Sequence, residues 1–475
     1  MSFLKHQLHY LADSAQYFAR IAHLPWAMFL DSGQLPDPVT GKAGSQYGHY
    51  DILVAKPFIT FTSNGQQTEV VSKDNTHLSL EDPFKLVNDA LATLRAEQSA
   101  WPFTGGAVGY FGYDLARRVE KLDNTAADDG LVPQMQVGIY DWALIVDHRA
   151  KTAHLVSNGF EQQTRADWPT LCALFDEVTE LATEQKLSFE ITTAVHSNMD
   201  KAAYTEAFNA IKNYIHEGDC YQVNLAQRFS VTARGDAWTF YQKLREISPA
   251  PFMAYMNLGH MQVVSGSPER FLQVVDGYVE TRPIKGTRPR AADAEQDALY
   301  AKDLLESLKD RAENLMIVDL LRNDISKNCK TGSVKADNLF QLQSFANVHH
   351  LVSIVTGELM ADKSAIDLLR GCFPGGSITG APKLRSMQII EELEPHRRGV
   401  YCGAIGYIGF DGNMDTNIAI RTAVYVEKQA GEGELSFYAG GGIVADSDVE
   451  KEYVETWDKA SSMLKVVECF SRKSD

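Results

Sequence analysis

Residues 281 to 290 read TRPIKGTRPR, which sets Arg282, Lys285, Arg288 and Arg290 in a segment stiffened by Pro283 and Pro289 and turned at Gly286. Neighbouring cations oppose one another's protonation. Partial burial would lower the Lys285 pKa further, toward the free amine that nucleophilic lysine chemistry needs. A solvated basic turn satisfies the same pattern, because lysines are usually exposed. Residues 375 to 383, GGSITGAPK, come close to a phosphate loop but lack the Ser or Thr that would follow Lys383 and hold magnesium. What remains is a loop with Ser377 and Thr379, opening onto a helix whose first residue is expected to be Pro382. Such a loop suits a carboxylate as well as a phosphate, or simply caps the helix.

The acidic candidates lie on helical patterns. In SDVEKEYVETWDKASSMLK, residues Val449, Tyr453, Thr456, Ala460 and Met463 form one stripe, and Glu452, Glu455 and Lys459 fall beside it. In AENLMIVDLLRND, Glu313 precedes a strongly apolar run. Carboxylates held at partial burial must be protonated, paired or bound to a hard cation, and magnesium takes few carboxylates plus substrate oxygens and water. Solvated helix faces fit the same spacing, and spacing alone does not bring 313 to 452. Three further residues stand singly. His350, in VHHLVS, suits a general acid or base or a satisfied core histidine. Arg421, in DTNIAIRTA, lies in an apolar strand and needs a buried anion. Glu269, in SGSPERF, precedes Lys285 by enough chain for two strands and a turn to bring them together.

The elements that must position these residues differ along the chain. Up to about residue 160, short alternating segments such as Tyr50 to Ala55, Phe58 to Phe61 and Ala143 to Asp147 predict antiparallel sheet. Glu161 to Leu187 reads as helix, and Thr192 to Asp200 as a boundary between regions 1–190 and 195–466. Beyond it, Tyr204, Phe208, Ile211 and Ile215 predict a helix capped by Asp200 and ended by Gly218, followed by a strand from Cys220 to Phe229. A helical block over 293–326, a strand over 349–359, a helix near 363–370 and a last helix over 449–466 complete the pattern. Gly105 to Asp114 (GGAVGYFGYD) is echoed by Cys402 to Asp411 (CGAIGYIGFD), which points to two related halves of one sheet system. Strands mixed with helical blocks, without regular βαβ alternation, predict an α+β fold.

Composition excludes several classes. With 44% hydrophobic and 23% charged residues the 475-residue chain is ordinary globular protein, and a net charge of −17 opposes binding of nucleic acid. The six cysteines form no CxxC pair, so reduced thiols in a cytoplasmic chain are expected. The opening MSFLKHQLHYLADSAQ lacks the apolar h-region of a signal peptide, so none is expected, and no apolar run approaches membrane length.

Together, SPERF, RPIKGT, AENLMIVDL with RND, HHLVS, GSITGAPK, RRGVYCGAIGY, NIAIRT and AGGGIVADSD resemble the chorismate-utilising enzymes, over about residues 200 to 465 and more loosely through HLPWAMFLDSG and FTGGAVGYFGYD. The resemblance implies a composite α+β fold of the anthranilate-synthase type, two large antiparallel sheets forming a sandwich flanked by helices. It implies a magnesium shell of Glu313, Glu452 and Glu455. Ser377, Thr379, Tyr401, Arg421, the backbone at Gly440, Gly441 and Gly442, and Lys459 would grip chorismate. His350 would lie near the departing hydroxyl, and Glu269 would be general acid and base. Relatives that add water carry a lysine base where this chain has Gln222, which favours ammonia as the nucleophile. Relatives that aminate C2 read PIAGT where it has PIKGT. Lys285 is typical of those that aminate C4, in which the lysine adds at C2 before ammonia adds at C4 to give 4-amino-4-deoxychorismate. No cysteine sits in a glutaminase context, so ammonia or glutamine nitrogen is expected from a separate glutamine amidotransferase subunit. The segment matching HLPWAMFLDSG borders a tryptophan pocket in relatives and puts Ser32 at its edge, while the stretch GQLPDPVTGKAGSQYGHYD departs from their pattern.

Overall fold

The two glycine-rich segments that echo each other in the sequence lie side by side. In the computed structural model, which describes residues 3–34, 48–177, 188–291, 293–344, 348–429 and 431–471, strand Gly106–Phe111 pairs antiparallel with Ala404–Gly409. Gly109 stands directly opposite Gly406, its own counterpart in the repeat. A Cβ on Gly109 would lie 2.2 Å from the Gln136 carbonyl oxygen and one on Gly406 2.1 Å from that of Asp415, so glycine is what lets the flanking strands close in.

The described strands form a 13-stranded and a 12-stranded sheet with antiparallel pairing between neighbours. Each takes five strands from the N-terminal part of the chain and the rest from the C-terminal part. The first sheet is joined at its centre by Ala27–Asp31 against Phe252–Asn257, the second by Gly106–Phe111 against Ala404–Gly409. Outward from these seams the two halves run in the same succession. In the first sheet Tyr50–Val54, Trp142–Asp147, Thr152–Ser157 and Leu4–Leu8 mirror Met261–Ser267, Thr422–Gln429, Glu432–Ile443 and Gln222–Gly235. In the second, Met135–Tyr140, Ile59–Asn64, Gln67–Ser72 and Thr76–Ser79 mirror Met414–Ile418, Arg270–Val275, Tyr278–Thr281 and Val348–Glu358. The chain draws one path twice.

Alternation along the strands sorts the core into layers. Trp142, Leu144 and Val146 pack outward under the helices Gln162–Asp176, Ala237–Ile247 and Val449–Phe470, whereas Ala143 and Ile145 pack between the sheets with Met28, Tyr110 and Ile405. The other outer face, with Phe271, Leu272 and Val274, lies under Pro83–Ala92, Leu308–Ser326 and Ala365–Cys372. This is the expected helix-flanked sandwich.

Capping signals read from sequence are met. The Asp200 side chain accepts from Ala203 N–H at the start of Lys201–Glu217, and Gly218 ends it at φ +87°. Glu161 to Leu187 is helical over Gln162–Asp176, and its last ten residues lie outside the described chain. The block 293–326 is two helices, Ala294–Glu306 and Leu308–Ser326. Pro382 precedes the helix Lys383–Leu393 instead of opening it, since Lys383 is its first helical residue. The C-terminal half carries pieces with no counterpart in the other half: Ala294–Glu306, Leu308–Ser326, strand Lys335–Ser344 and the loop and helix over 376–393. No disulfide forms among the six cysteines. Among the described residues no helix is long and apolar enough to cross a membrane.

Candidate active site

Glu269 lies in the short link where the chain leaves strand Met261–Ser267 of one sheet for Arg270–Val275 of the other. Ser267 Oγ donates to Ile418 O at 2.6 Å and Ile418 N–H to Glu269 O at 3.0 Å, which fixes the backbone there. Successive side chains then part company. Arg270 makes two 2.9 Å bonds to Asp415, while Glu269, only 8% exposed, accepts from Ser377 Oγ at 3.2 Å. Burial pushes the Glu269 carboxyl up to about 7, against the pull of Lys285, the Ser377 hydroxyl and Lys459. An acid with that pKa can both give and take a proton near neutrality.

Lys285 is on strand Ile284–Pro289, paired with Val348–Glu358, and its Nζ lies 2.9 Å from Glu313 Oε1 on helix Leu308–Ser326. The cations of TRPIKGTRPR do not crowd. Arg282 pairs with Glu280 at 2.6 Å, Arg288 with Asp303 at 2.6 Å and Asp310 at 3.1 Å, and Arg290 with Asp297 at 2.8 Å. The expected lowering of the Lys285 pKa is therefore overturned. Burial by itself pushes the ammonium down, but Glu313, with Glu269 and Glu455 behind it, holds it above the ordinary lysine value. The resting amine is charged.

Glu452 and Glu455 project from one side of helix Val449–Phe470. Glu452 is 6% exposed and accepts from Ser447 Oγ at 2.7 Å; burial pushes its carboxyl up, opposed by Ser447 and reinforced by Glu455. Glu455 pairs with Lys459 Nζ at 2.7 Å; burial would raise it too, but Lys459, Lys285 and Lys309 hold it below the usual carboxylate value. Lys459 also donates to Gly440 O at 3.0 Å. The glycine run leaves room for this group: a Cβ on Gly441 would stand 3.3 Å from Glu452 Oε2, 3.5 Å from Glu455 Oε1 and 3.7 Å from Lys459 Nζ, and one on Gly442 2.5 Å from Gln222 Nε2.

Two hard carboxylates beside a gap that a methyl group would fill fit a magnesium ion completed by water and substrate oxygens. Glu313 joins them only through Lys285. Among the described residues no three carboxylate, imidazole or thiolate groups converge as a ligand set.

The remaining candidates divide. Arg421 has a left-handed backbone (φ +50°) and makes no ion pair among the described residues; burial lowers its pKa, and Glu269 opposes that. A guanidinium so placed calls for an anion. His350 Nδ1 is 2.9 Å from Thr287 Oγ1, and burial, with Arg421 nearby, pushes it down to about 4, so it is neutral at working pH. Tyr401 is buried with its ring stacked on Tyr438 at 5.2 Å. Gln222 is wholly buried, and neither of its amide atoms finds a partner among the described residues. The Thr379 hydroxyl turns back to Gly375 O and Gly376 O at 3.1 and 3.3 Å, and its backbone is paired as well, the N–H donating to Gly376 O at 3.4 Å and the O accepting from Asn224 N–H at 2.9 Å.

Sequence reasoning missed the roles of half-buried Lys383 and buried Arg398. Lys383 donates to Cys372 O at 2.8 Å and pairs with Asp324 of RND at 2.5 Å, so it staples the loop instead of meeting a phosphate. Arg398 pairs with Glu394 at 2.6 Å and donates to Ile378 O at 2.9 Å and Asn224 O at 3.0 Å, tying the loop of Ser377 and Thr379 to strand Gln222–Gly235. In the sequence only the four-residue spacing from Glu394 to Arg398 signals a partner, while Ile378 and Asn224 carry no such spacing.

Ser32 borders a different cavity, of about 380 Å³, shared with Met253, Tyr407 and Asn417. Its hydroxyl and amide both donate to Asp51 Oδ1, at 2.6 and 2.7 Å. Residues 35–47 of the divergent stretch lie outside the described chain.

The family described as chorismate binding enzyme matches residues 42–465. A protein of Klebsiella aerogenes named aminodeoxychorismate synthase component 1 is 48% identical over 460 residues, covering 96% of this chain and 97% of its own. The protein of that name from Salmonella typhimurium is 46% identical, covering 96% of each chain. The solved anthranilate synthase component I of Streptococcus pneumoniae superposes with a TM-score of 0.77 at 31% identity, covering 90% of this chain and 95% of its own. With that much of the chain matched, and with the sheets and the site built as described, it belongs to the family of chorismate binding enzymes.

Proposed function

We propose that this enzyme aminates chorismate at C4 to give 4-amino-4-deoxychorismate, on the way to 4-aminobenzoate and folate. The observation that carries the reading is the buried amine of Lys285, held 2.9 Å from Glu313 inside the group that also holds Glu269 and Glu455. The relatives named for this reaction, nearly half identical over almost the whole chain, support it.

Arg421 takes one substrate carboxylate, and the Gly440 to Gly442 backbone with Lys459 orients the other. A magnesium ion between Glu452, Glu455 and, once released from Lys285, Glu313 would neutralise carboxylate charge. Lys285 passes its proton to Glu313 and adds through its free electron pair to ring C2. The ring double bonds shift, and the C4–O bond breaks as Glu269, in its acid form, protonates the hydroxyl, which departs as water past neutral His350. Ammonia adds at C4, the double bonds shift back, the C2–N bond to Lys285 breaks, and Glu269 recovers a proton from the new amine. Gln222 supports ammonia over water, since a carboxamide cannot serve as a base.

Ammonia is supplied by a glutamine amidotransferase subunit, in keeping with the component 1 naming of the relatives. The cavity beside Ser32, large enough for an indole side chain, takes tryptophan.

The purified chain with chorismate, magnesium and ammonium should release a product that becomes 4-aminobenzoate only when a lyase is added. Direct release of anthranilate would identify C2 amination instead, and isochorismate without ammonia would identify hydration. Tryptophan binding without chorismate turnover would leave only a sensor.

A further inference from the structure

Chorismate carries two carboxylates, and the chain that must take it up has a net charge of −17. Within the site the signs nearly cancel. Lys285 is paired with Glu313 and Lys459 with Glu455, leaving Arg421 against Glu269 and Glu452. One cation is left over. Lys309 stands in the first turn of helix Leu308–Ser326, four residues before Glu313 and therefore on the same helix face, one turn toward the helix start. It is exposed, and among the described residues it makes no ion pair. One turn from Glu313, whose partner Lys285 at 2.9 Å reaches the acidic group, it stands at the rim of that group, and its charge acts on both Glu452 and Glu455.

We infer that Lys309 is a substrate-positioning residue, the rim cation that draws dianionic chorismate into a site set in an acidic protein. This rests on the reading of the site given above. Unlike Lys285 and Lys459, it is not neutralised by a fixed partner, and its field extends into solvent over about the 10 Å screening length of 0.1 M salt. A flexible ammonium suits the task, because capture needs charge and not a fixed hydrogen-bond geometry. It acts before chemistry, so its effect belongs to association, where a steering charge works and where added salt removes it.

The test is stopped-flow binding of chorismate to the full chain with magnesium present, at potassium chloride from about 20 to about 300 mM. Lys309→Gln should slow association about three- to tenfold at the lowest salt, with dissociation and kcat within about twofold of the parent. Lys309→Glu should slow it further, and Lys309→Arg should restore it. The differences should fade at the highest salt. An unchanged association rate in Lys309→Gln would overturn the inference, and so would a loss that salt does not alter, which marks a structural role. If the parent chain fails to bind chorismate at all, the reading of the site fails first and the inference falls with it.

Discussion

Glu313 and Lys285 hold each other across 2.9 Å, from a helix that only the C-terminal half possesses to a strand of the shared sheet. The ion pair keeps the lysine charged and gives it a place to leave its proton. Lys285→Ala should therefore abolish C4 amination, and mass spectrometry should find a chorismate-derived adduct in the parent and none in the variant. In Glu313→Gln the anion is gone but burial remains, so the pH at which Lys285 reacts with a small aldehyde should fall below that of the parent. An unchanged or higher midpoint would mean that Glu313 does not set the lysine's charge.

Glu269 should leave a mark on both activity and stability. Its folded pKa, about 7, lies above the unfolded value near 4.5, so folding favours the protonated acid. That contribution is complete below the unfolded value and is lost as pH rises through about 7. The shift corresponds to about 3 kcal/mol at most. Glu269→Gln should thus be more stable than the parent in urea at pH 8, with the gap closing toward pH 5, while kcat falls about a hundredfold or more.

His350 should be silent in the pH profile. With its pKa pushed down to about 4, it stays neutral from pH 6 upward, so His350→Gln should change kcat without moving either limb of the profile above pH 6.

The gap at Gly441 is testable by filling it. Gly441→Ala puts a methyl group 3.3 Å from Glu452 Oε2 on backbone that alanine can adopt, so stability should change by no more than about 1 kcal/mol. Magnesium affinity by calorimetry should weaken about tenfold, and Glu452→Gln should weaken it at least as much. Unchanged affinity in both variants would remove the ion from between these helix carboxylates.

Arg398→Met should destabilise the chain by about 3–5 kcal/mol in urea, because it strands Glu394 and frees the carbonyls of Ile378 and Asn224 in the core. The accompanying loss of chorismate affinity should exceed that of Lys383→Met, because Arg398 holds Ile378, the residue next to Ser377, whereas Lys383 holds Cys372 and Asp324.

Legibility followed the range of the interaction. Most local signals held: Asp200 and Gly218 bound their helix, and the stripe through Thr456, Ala460 and Met463 faces the core, although Pro382 caps its helix instead of opening it. The echo between Gly105 and Cys402 was readable because glycine is demanded wherever strands approach closely. What failed was non-local. Arg288 and Arg290 looked like neighbours that would burden Lys285, but Asp303, Asp310 and Asp297 take them up from helices further along the chain. Arg398 meets Glu394 at a local spacing of four, but its partners Ile378 and Asn224 come from two distant segments that no spacing rule brings together.

The twice-drawn path has a practical bearing on any attempt to dissect the protein. Cutting the chain near residue 195 would strip Phe252–Asn257 from Ala27–Asp31 and Ala404–Gly409 from Gly106–Phe111, baring two long hydrogen-bonding edges on each fragment. Neither fragment would be a minimal enzyme; expressed alone, each would clump, and co-expression of the two is the arrangement that would restore a working whole.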